Sequence, residues 1–200
     1  MPRYPRENMP TTSVGMAPNT PCVIVSNPRE EIRLRNIELK ARLADIDAAR
    51  TKAQEITTKG LCPQHQTDTY FHCREGRLKL RQIDGISSQL IWYARADREG
   101  PKVSVYQLVP ISNPETLKAA LASALGIRCV VEKRREILLV DNVRIHLDDV
   151  VGLGTFLEFE AVLADETQDA ADRTRLNELA AYFGIAPVDL LAVSYADMMS

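Results

Sequence analysis

Apolar and polar positions alternate over short stretches of this chain, most plainly in Arg35-Asn36-Ile37-Glu38-Leu39-Lys40-Ala41-Arg42. Asn36, Glu38 and Lys40 share one parity, and Ile37, Leu39 and Ala41 share the other. Successive side chains of a strand point to opposite faces, so the pattern predicts a strand over about residues 33–42 with one polar and one apolar row. Asp45 then predicts a helix cap. Ile46, Ala49, Ala53 and Ile56 mark a helical stripe to about residue 58, with Gly60 as the stop. A loop is expected over Leu61–Gln66, a strand over Thr67–Cys73 and a turn at Arg74-Glu75-Gly76.

The alternation returns with more charge. Arg77, Lys79 and Arg81 share a face against Leu78 and Leu80, and Asp84-Gly85 predicts a hairpin turn. The next strand, Gln89–Asp97, sets Ile91, Tyr93 and Arg95 against Trp92, Ala94 and Ala96. Lys102, Ser104 and Tyr106 share a face of another, Lys102–Ile111. Asn113-Pro114 starts a helix with the stripe Leu117, Ala120, Leu121 and Leu125, stopped by Gly126. Val131, Lys133 and Arg135 then share a strand face. Arg144, His146 and Asp148 alternate against Val143, Ile145 and Leu147, and Phe156, Glu158 and Glu160 against Leu157, Phe159 and Ala161. A helix over about 167–183 is stopped by Gly184, and Pro187 opens a short one. This gives about eight short, mostly hairpin-linked strands. The expected fold is α+β, mostly β: a largely antiparallel sheet, long enough to close as an eight-stranded barrel with the helices outside.

Composition narrows the partners. The net charge of the 200 residues is −2, so no global basic field points to nucleic acid. No apolar run approaches the ~18 residues of a membrane span. Met1-Pro2-Arg3-Tyr4-Pro5-Arg6 lacks the apolar core of a secretory signal, and the expectation is a cytoplasmic protein. Residues 1–30 are rich in proline, with Ser, Thr and Asn between, and read as a flexible extension ahead of one domain over 31–200. Cys22, Cys62, Cys73 and Cys129 form no Cys-x-x-Cys pair and read as free thiols. Cys62, His65, His72 and Cys73 lie close together, but their spacing matches no common zinc module.

The charged strand faces carry the chemistry. One row of each strand gives Glu38 and Lys40; Arg77, Lys79 and Arg81; Arg95; Lys102; Lys133 and Arg135; Arg144 and Asp148; Glu158 and Glu160. Such rows on single strands ordinarily face water. In a barrel covered by helices they would point inward, where unpaired charge costs several kcal/mol per group. Many cations and a few carboxylates then suit a polyphosphate with a divalent metal.

The segments Asn36-Ile37-Glu38-Leu39-Lys40, Asp68-Thr69-Tyr70-Phe71, Gly76–Arg81, Val131–Arg135, Arg144–Asp148 and Gly152–Glu160 resemble, in order, the CYTH superfamily, above all its class IV adenylyl cyclase branch. The resemblance covers about residues 33–195. It implies a triphosphate tunnel using Mg²⁺ or Mn²⁺, with Glu38, Glu158 and Glu160 as metal carboxylates. Lys40, Lys79, Arg81, Lys133, Arg135 and Arg144 would grip the triphosphate, and the face pattern adds Arg77, Arg95 and Lys102. Lys40, Arg144 and Asp148 are the expected catalytic residues. The implied activity is conversion of ATP to cyclic AMP and pyrophosphate, with a triphosphatase as the alternative. The resemblance also implies a possible homodimer, while the charge and the apolar runs give no expectation of a nucleic-acid or membrane partner. The family signature is Glu-x-Glu-x-Lys, and here Asn36 stands at the first Glu. Asn offers an oxygen but no charge, which leaves a non-catalytic polyphosphate binder as a third reading.

Overall fold

The computed structural model describes residues 34–57, 59–163 and 169–199, leaving aside the side chains of 59–62. The proline-rich extension, Cys22 and the side chain of Cys62 lie outside that description. Eight strands form a closed barrel: β1 (Leu34–Arg42), β2 (Lys59–Phe71), β3 (Arg77–Ile83), β4 (Ser87–Arg95), β5 (Lys102–Pro110), β6 (Ile127–Val140), β7 (Val143–Val150) and β8 (Gly154–Val162). Around the barrel the order is β1-β5-β4-β3-β2-β6-β7-β8. Every pairing is antiparallel. The hairpin predicted at Asp84-Gly85 and a second at Asp141-Asn142 make neighbours of sequential strands. The two crossings, β1 to β2 and β5 to β6, are made through α1 (Ile46–Ile56) and α2 (Pro114–Leu125).

The main core lies outside the barrel wall, not in its lumen. The apolar rows Ile37 and Leu39 of β1, Leu138 and Val140 of β6, Ile145 and Leu147 of β7, and Leu157 and Phe159 of β8 form one sheet face. That face is covered by Ala49 and Ala53 of α1 and by Leu176, Leu179 and Phe183 of α3 (Asp169–Phe183). Phe159 meets Phe183 edge to face, ring centroids 5.4 Å apart. Alternation then obliges the opposite, charged rows to face the lumen. Asp45 caps α1 through Asp47 and Ala48 N–H, and Asn113 caps α2 through Thr116 N–H, as their positions predict.

Two expectations need correction. Helix α1 ends at Ile56 rather than near Gly60, and the expected loop Leu61–Gln66 belongs to β2. Strand β6 is 14 residues long, and its far half offers backbone partners to Lys59–His65. Strand β3 pairs only from Gln66 onward, so Pro63 sits where β2 has a single paired edge and its missing N–H is tolerated. Second, the α2 stripe makes no core: none of its residues is fully buried, and Leu125 is 40% exposed. After α3, a 3₁₀ turn at Pro187–Asp189 leads to a one-turn helix, α4 (Tyr195–Met198), which the sequence pattern does not predict. Turn residue Gly76 has φ +70°, and a Cβ there would meet the Tyr93 carbonyl oxygen at 2.6 Å.

Candidate functional site: a charged tunnel

The lumen is lined by ion pairs that join strands which are not neighbours. Arg135 of β6 reaches past β7 to Glu158 of β8 at 2.8 Å, which only inward-facing side chains can do. The charges fall into three groups. In the first, Asp68 of β2 takes Lys79 at 3.0 Å, Arg81 at 2.7 and 2.8 Å, and Lys133 at 2.9 Å. Burial alone would raise the Asp68 carboxyl. Arg81, Lys133 and Lys79 outweigh it and hold the group well below the usual carboxylate range. Three cations for one carboxylate leave positive charge unspent. Burial pulls Lys133 down to about 7 and Lys79 to about 8, with Arg81 adding repulsion in both cases.

In the second group Asp148 accepts from Arg135 at 2.7 Å and from the Tyr195 hydroxyl at 2.7 Å. Glu158 accepts from Arg135 and pairs with Lys40 at 3.0 Å. The Lys40 ammonium also lies 3.9 Å over the Tyr195 ring. Burial would raise both carboxyls. The Arg135 charge lowers Asp148, and Lys40 first, then the His146 hydrogen bond, lowers Glu158.

In the third group Glu160 pairs with Arg144 at 3.0 Å and accepts from the Asn36 amide, while Glu38 pairs with Arg95 at 3.1 Å. The register explains the proximity: Glu38 faces Glu160 and Lys40 faces Glu158 across β1 and β8. Burial and the Glu158 charge push the Glu38 carboxyl up, the behaviour of carboxylates short of positive charge.

All ten inward residues from the resemblance therefore stand on one lumen wall: Glu38, Lys40, Lys79, Arg81, Lys133, Arg135, Arg144, Asp148, Glu158 and Glu160. The three added by face pattern alone are placed differently. Arg77 binds Asp97 and Asp197 at one end of the tunnel. Lys102 is spent on the carbonyls of Arg98, Leu191 and Ala192, and Arg95 is shared between Glu38 and the Ala192 carbonyl. They hold the C-terminal segment against the barrel mouth. Sequence reasoning assigned no role to Asp68, His146 or Tyr195. Asp68 shares the parity of buried Gln64, Gln66 and Tyr70, and His146 that of Arg144 and Asp148, so both were findable. Tyr195 had no periodic signal.

The donors suit a hard divalent cation. Glu158, Glu160 and Glu38 offer carboxylate oxygens, and the Asn36 Oδ1 is buried without a hydrogen-bond partner. Among the described residues no three His, Cys, Asp or Glu side chains yet gather round one point, because Lys40, Arg135 and Arg144 hold the carboxylates. The expected free thiols are observed at Cys73 and Cys129. The clustered residues near Cys62 give no metal site among the described residues: His65 pairs with Asp84, and Cys73 is exposed.

Fold and wall together define a closed barrel with a charged lumen. The CYTH domain profile matches residues 34–195, and the chain belongs to that family, whose triphosphate-tunnel fold it has. Over 175 residues it is 24% identical to a protein of Methanocaldococcus jannaschii named "Putative adenylate cyclase", covering 81% of this chain and 97% of that one. A solved structure of the same description from Vibrio parahaemolyticus superposes with a TM-score of 0.65 at 22% identity, over 82% of this chain and 97% of that chain. A conserved hypothetical protein of Pyrococcus furiosus gives a TM-score of 0.68 at 17% identity, over 81% and 98%. No helix among the described residues is long and apolar enough to cross a membrane.

Proposed function

We propose that the tunnel performs divalent-metal-dependent triphosphate chemistry, converting ATP to cyclic AMP and pyrophosphate in the cytoplasm. The observation that carries the triphosphate reading is the ring of Lys40, Lys79, Arg81, Lys133, Arg135 and Arg144 around one lumen. Their present partners are carboxylates that a phosphate chain can replace as acceptor. The names of the relatives favour the cyclase over the triphosphatase.

In this reading Lys79, Arg81 and Lys133 hold the terminal phosphates, with Asp68 fixing their positions. Lys40, Arg135 and Arg144 hold the phosphate nearest the ribose. The 3′-oxygen bonds to the α-phosphorus while the bond from that phosphorus to the bridging oxygen breaks, and pyrophosphate leaves with the electron pair. The hydroxyl proton must pass to a base. Asp148 is a poor one, since the Arg135 charge holds its carboxyl well below the usual carboxylate range and so makes it a weak proton acceptor; its work is to aim Arg135. Lys133 is engaged with the terminal phosphates at the Asp68 end, so the proton passes to solvent water. Mg²⁺ or Mn²⁺, held by Glu158, Glu160, Glu38 and Asn36, would supply Lewis-acid neutralisation of phosphate charge.

The test is to incubate the full chain with ATP and Mn²⁺ and separate the products. Cyclic AMP with one pyrophosphate per turnover supports the proposal. Inorganic phosphate and ADP move the assignment to a triphosphatase acting on inorganic, thiamine or nucleoside triphosphate. Binding without any product leaves a polyphosphate binder, the outcome in which Asn36 has removed one carboxylate too many.

A further inference from the structure

We propose that His146 is a nitrogen ligand of the tunnel's divalent-cation site, and that the site therefore takes Mn²⁺ and other imidazole-binding ions in preference to Mg²⁺. The inference rests on the carboxylate wall being a cation site. It adds to that reading a ligand of different chemistry and a consequence for which metal is used.

The register puts the imidazole there. His146 faces Glu158 across β7 and β8, while Arg144 faces Glu160. Glu158 and Glu160 in turn face Lys40 and Glu38 on β1. The ring is 4% exposed and lies between the two carboxylates, with Nδ1 3.4 Å from Glu158 Oε2 and Nε2 3.8 Å from Glu160 Oε2. The first distance is at the long limit of a hydrogen bond and the second is beyond it. Asn36 is equally buried, donates its amide to Glu160, and leaves Oδ1 with no partner. An imidazole nitrogen, two carboxylates and an orphaned amide oxygen thus stand side by side on three adjacent strands, although the ion pairs of the ligand-free lumen keep them from gathering round one point. A cation among them would satisfy each one. When a phosphate chain draws Lys40, Arg135 and Arg144 away, the carboxylates lose the partners that now hold them, and the imidazole and the Asn36 oxygen are already in place.

The donor types then decide the ion. Mg²⁺ demands oxygen and keeps its waters, whereas first-row transition ions accept imidazole readily. A site with three carboxylates and no histidine would be indifferent between Mg²⁺ and Mn²⁺ by comparison. Here one carboxylate position is the neutral Asn36, and a neutral nitrogen is added. Both changes cost the site charge attraction that Mg²⁺ depends on.

The full chain, grown with ¹⁵N-labelled histidine, is loaded with Mn²⁺ and tripolyphosphate and examined by pulsed electron paramagnetic resonance. A nitrogen coupling that changes with the label is expected. Of the three histidines only His146 stands beside Glu158 and Glu160, His65 and His72 being exposed on or just after β2, so loss of the coupling in His146→Gln assigns its source. In parallel, His146→Gln is expected to lower Mn²⁺ affinity by about 10-fold or more while changing Mg²⁺ affinity less than ~3-fold, read by calorimetry. Mn²⁺ bound with no label-dependent coupling overturns the inference while leaving the cation site standing, and so does an equal loss for both ions. If the native chain binds neither ion, with or without tripolyphosphate, the cation site itself is overturned. The labelling experiment uses the native chain and holds whether or not the variant folds.

Discussion

At the scale of single residues, the Asp68 group is where charge and protonation are most closely linked. Lys133 and Lys79 give up their protons in the fold near 7 and 8, because burial outweighs the one carboxylate they share with Arg81. Unfolded lysine keeps its proton to about 10.4. Between those values the unfolded chain binds more protons than the folded one, so raising the pH favours the fold. Stability of the ligand-free protein is therefore expected to climb from about pH 7 to about 9. Above that window the buried tyrosines reverse the trend, since Tyr106 is pushed up to about 12 by burial. Denaturant midpoints measured across the window check this. Lys133→Met is expected to remove much of the slope, and a flat native profile would show that these lysines keep their protons. Tripolyphosphate should reverse the preference by holding the lysines charged. Calorimetry at pH 8 in two buffers of different ionisation enthalpy should then report proton uptake on binding.

At the scale of elements, the strands were legible and the pieces that finish the site were not. A period of two is a local signal, so the inward rows of β1, β3, β6, β7 and β8 could be read residue by residue. The eight strands followed from that period, and the two helix caps from the side chains of Asp45 and Asn113. Pro63 argued against a strand because the free edge that tolerates it is set by β6, about seventy residues away. Helix α4 is one turn long, too short for any periodicity, and its position is decided by tertiary contact. Ser194 and Asp197 close it as a capping box, and Arg77 and Arg128 bind Asp197 at 2.8 Å each. The Tyr195 ring lies 4.9 Å from Phe156, and its hydroxyl donates to fully buried Asp148. Tyr195→Phe keeps the packing and removes that donor, so it is expected to cost about 1–3 kcal/mol. Tyr195→Ala also opens a cavity and should cost about 3–5 kcal/mol. Urea unfolding of both variants measures the difference. Equal losses would mean that the hydroxyl carries the whole effect and the ring packing contributes nothing, and an unchanged Tyr195→Phe would mean that α4 is held by packing alone.

At the scale of the whole molecule, the charge is distributed in a way that folding by itself does not explain. The chain as a whole is slightly anionic, at −2, yet its lumen gathers six cations from four strands. The apolar core that stabilises the barrel sits outside the wall, under α1 and α3, so the lumen does not have to be apolar for the fold to hold. Buried ion pairs of this kind return little net stability, since the desolvation of both partners offsets their attraction. A linear polyanion that meets the cations together should then stabilise the fold in a way that simple salt does not. At a concentration 100 times its dissociation constant, tripolyphosphate is expected to add about 2.7 kcal/mol. For a domain of this size that corresponds to a rise of about 5–11 °C in melting temperature. Sulfate at matched ionic strength should give much less, because one compact anion cannot span Asp68's cations and those around Glu158 at once. Arg135→Met, which removes the guanidinium joining Asp148 to Glu158, should weaken the tripolyphosphate effect at least ~10-fold in apparent affinity, in line with the loss of a charge-assisted contact. Melting curves across a tripolyphosphate titration, with sulfate alongside, decide the matter. An equal rise with both anions would make the lumen a generic anion trap and remove the physical basis for a triphosphate substrate.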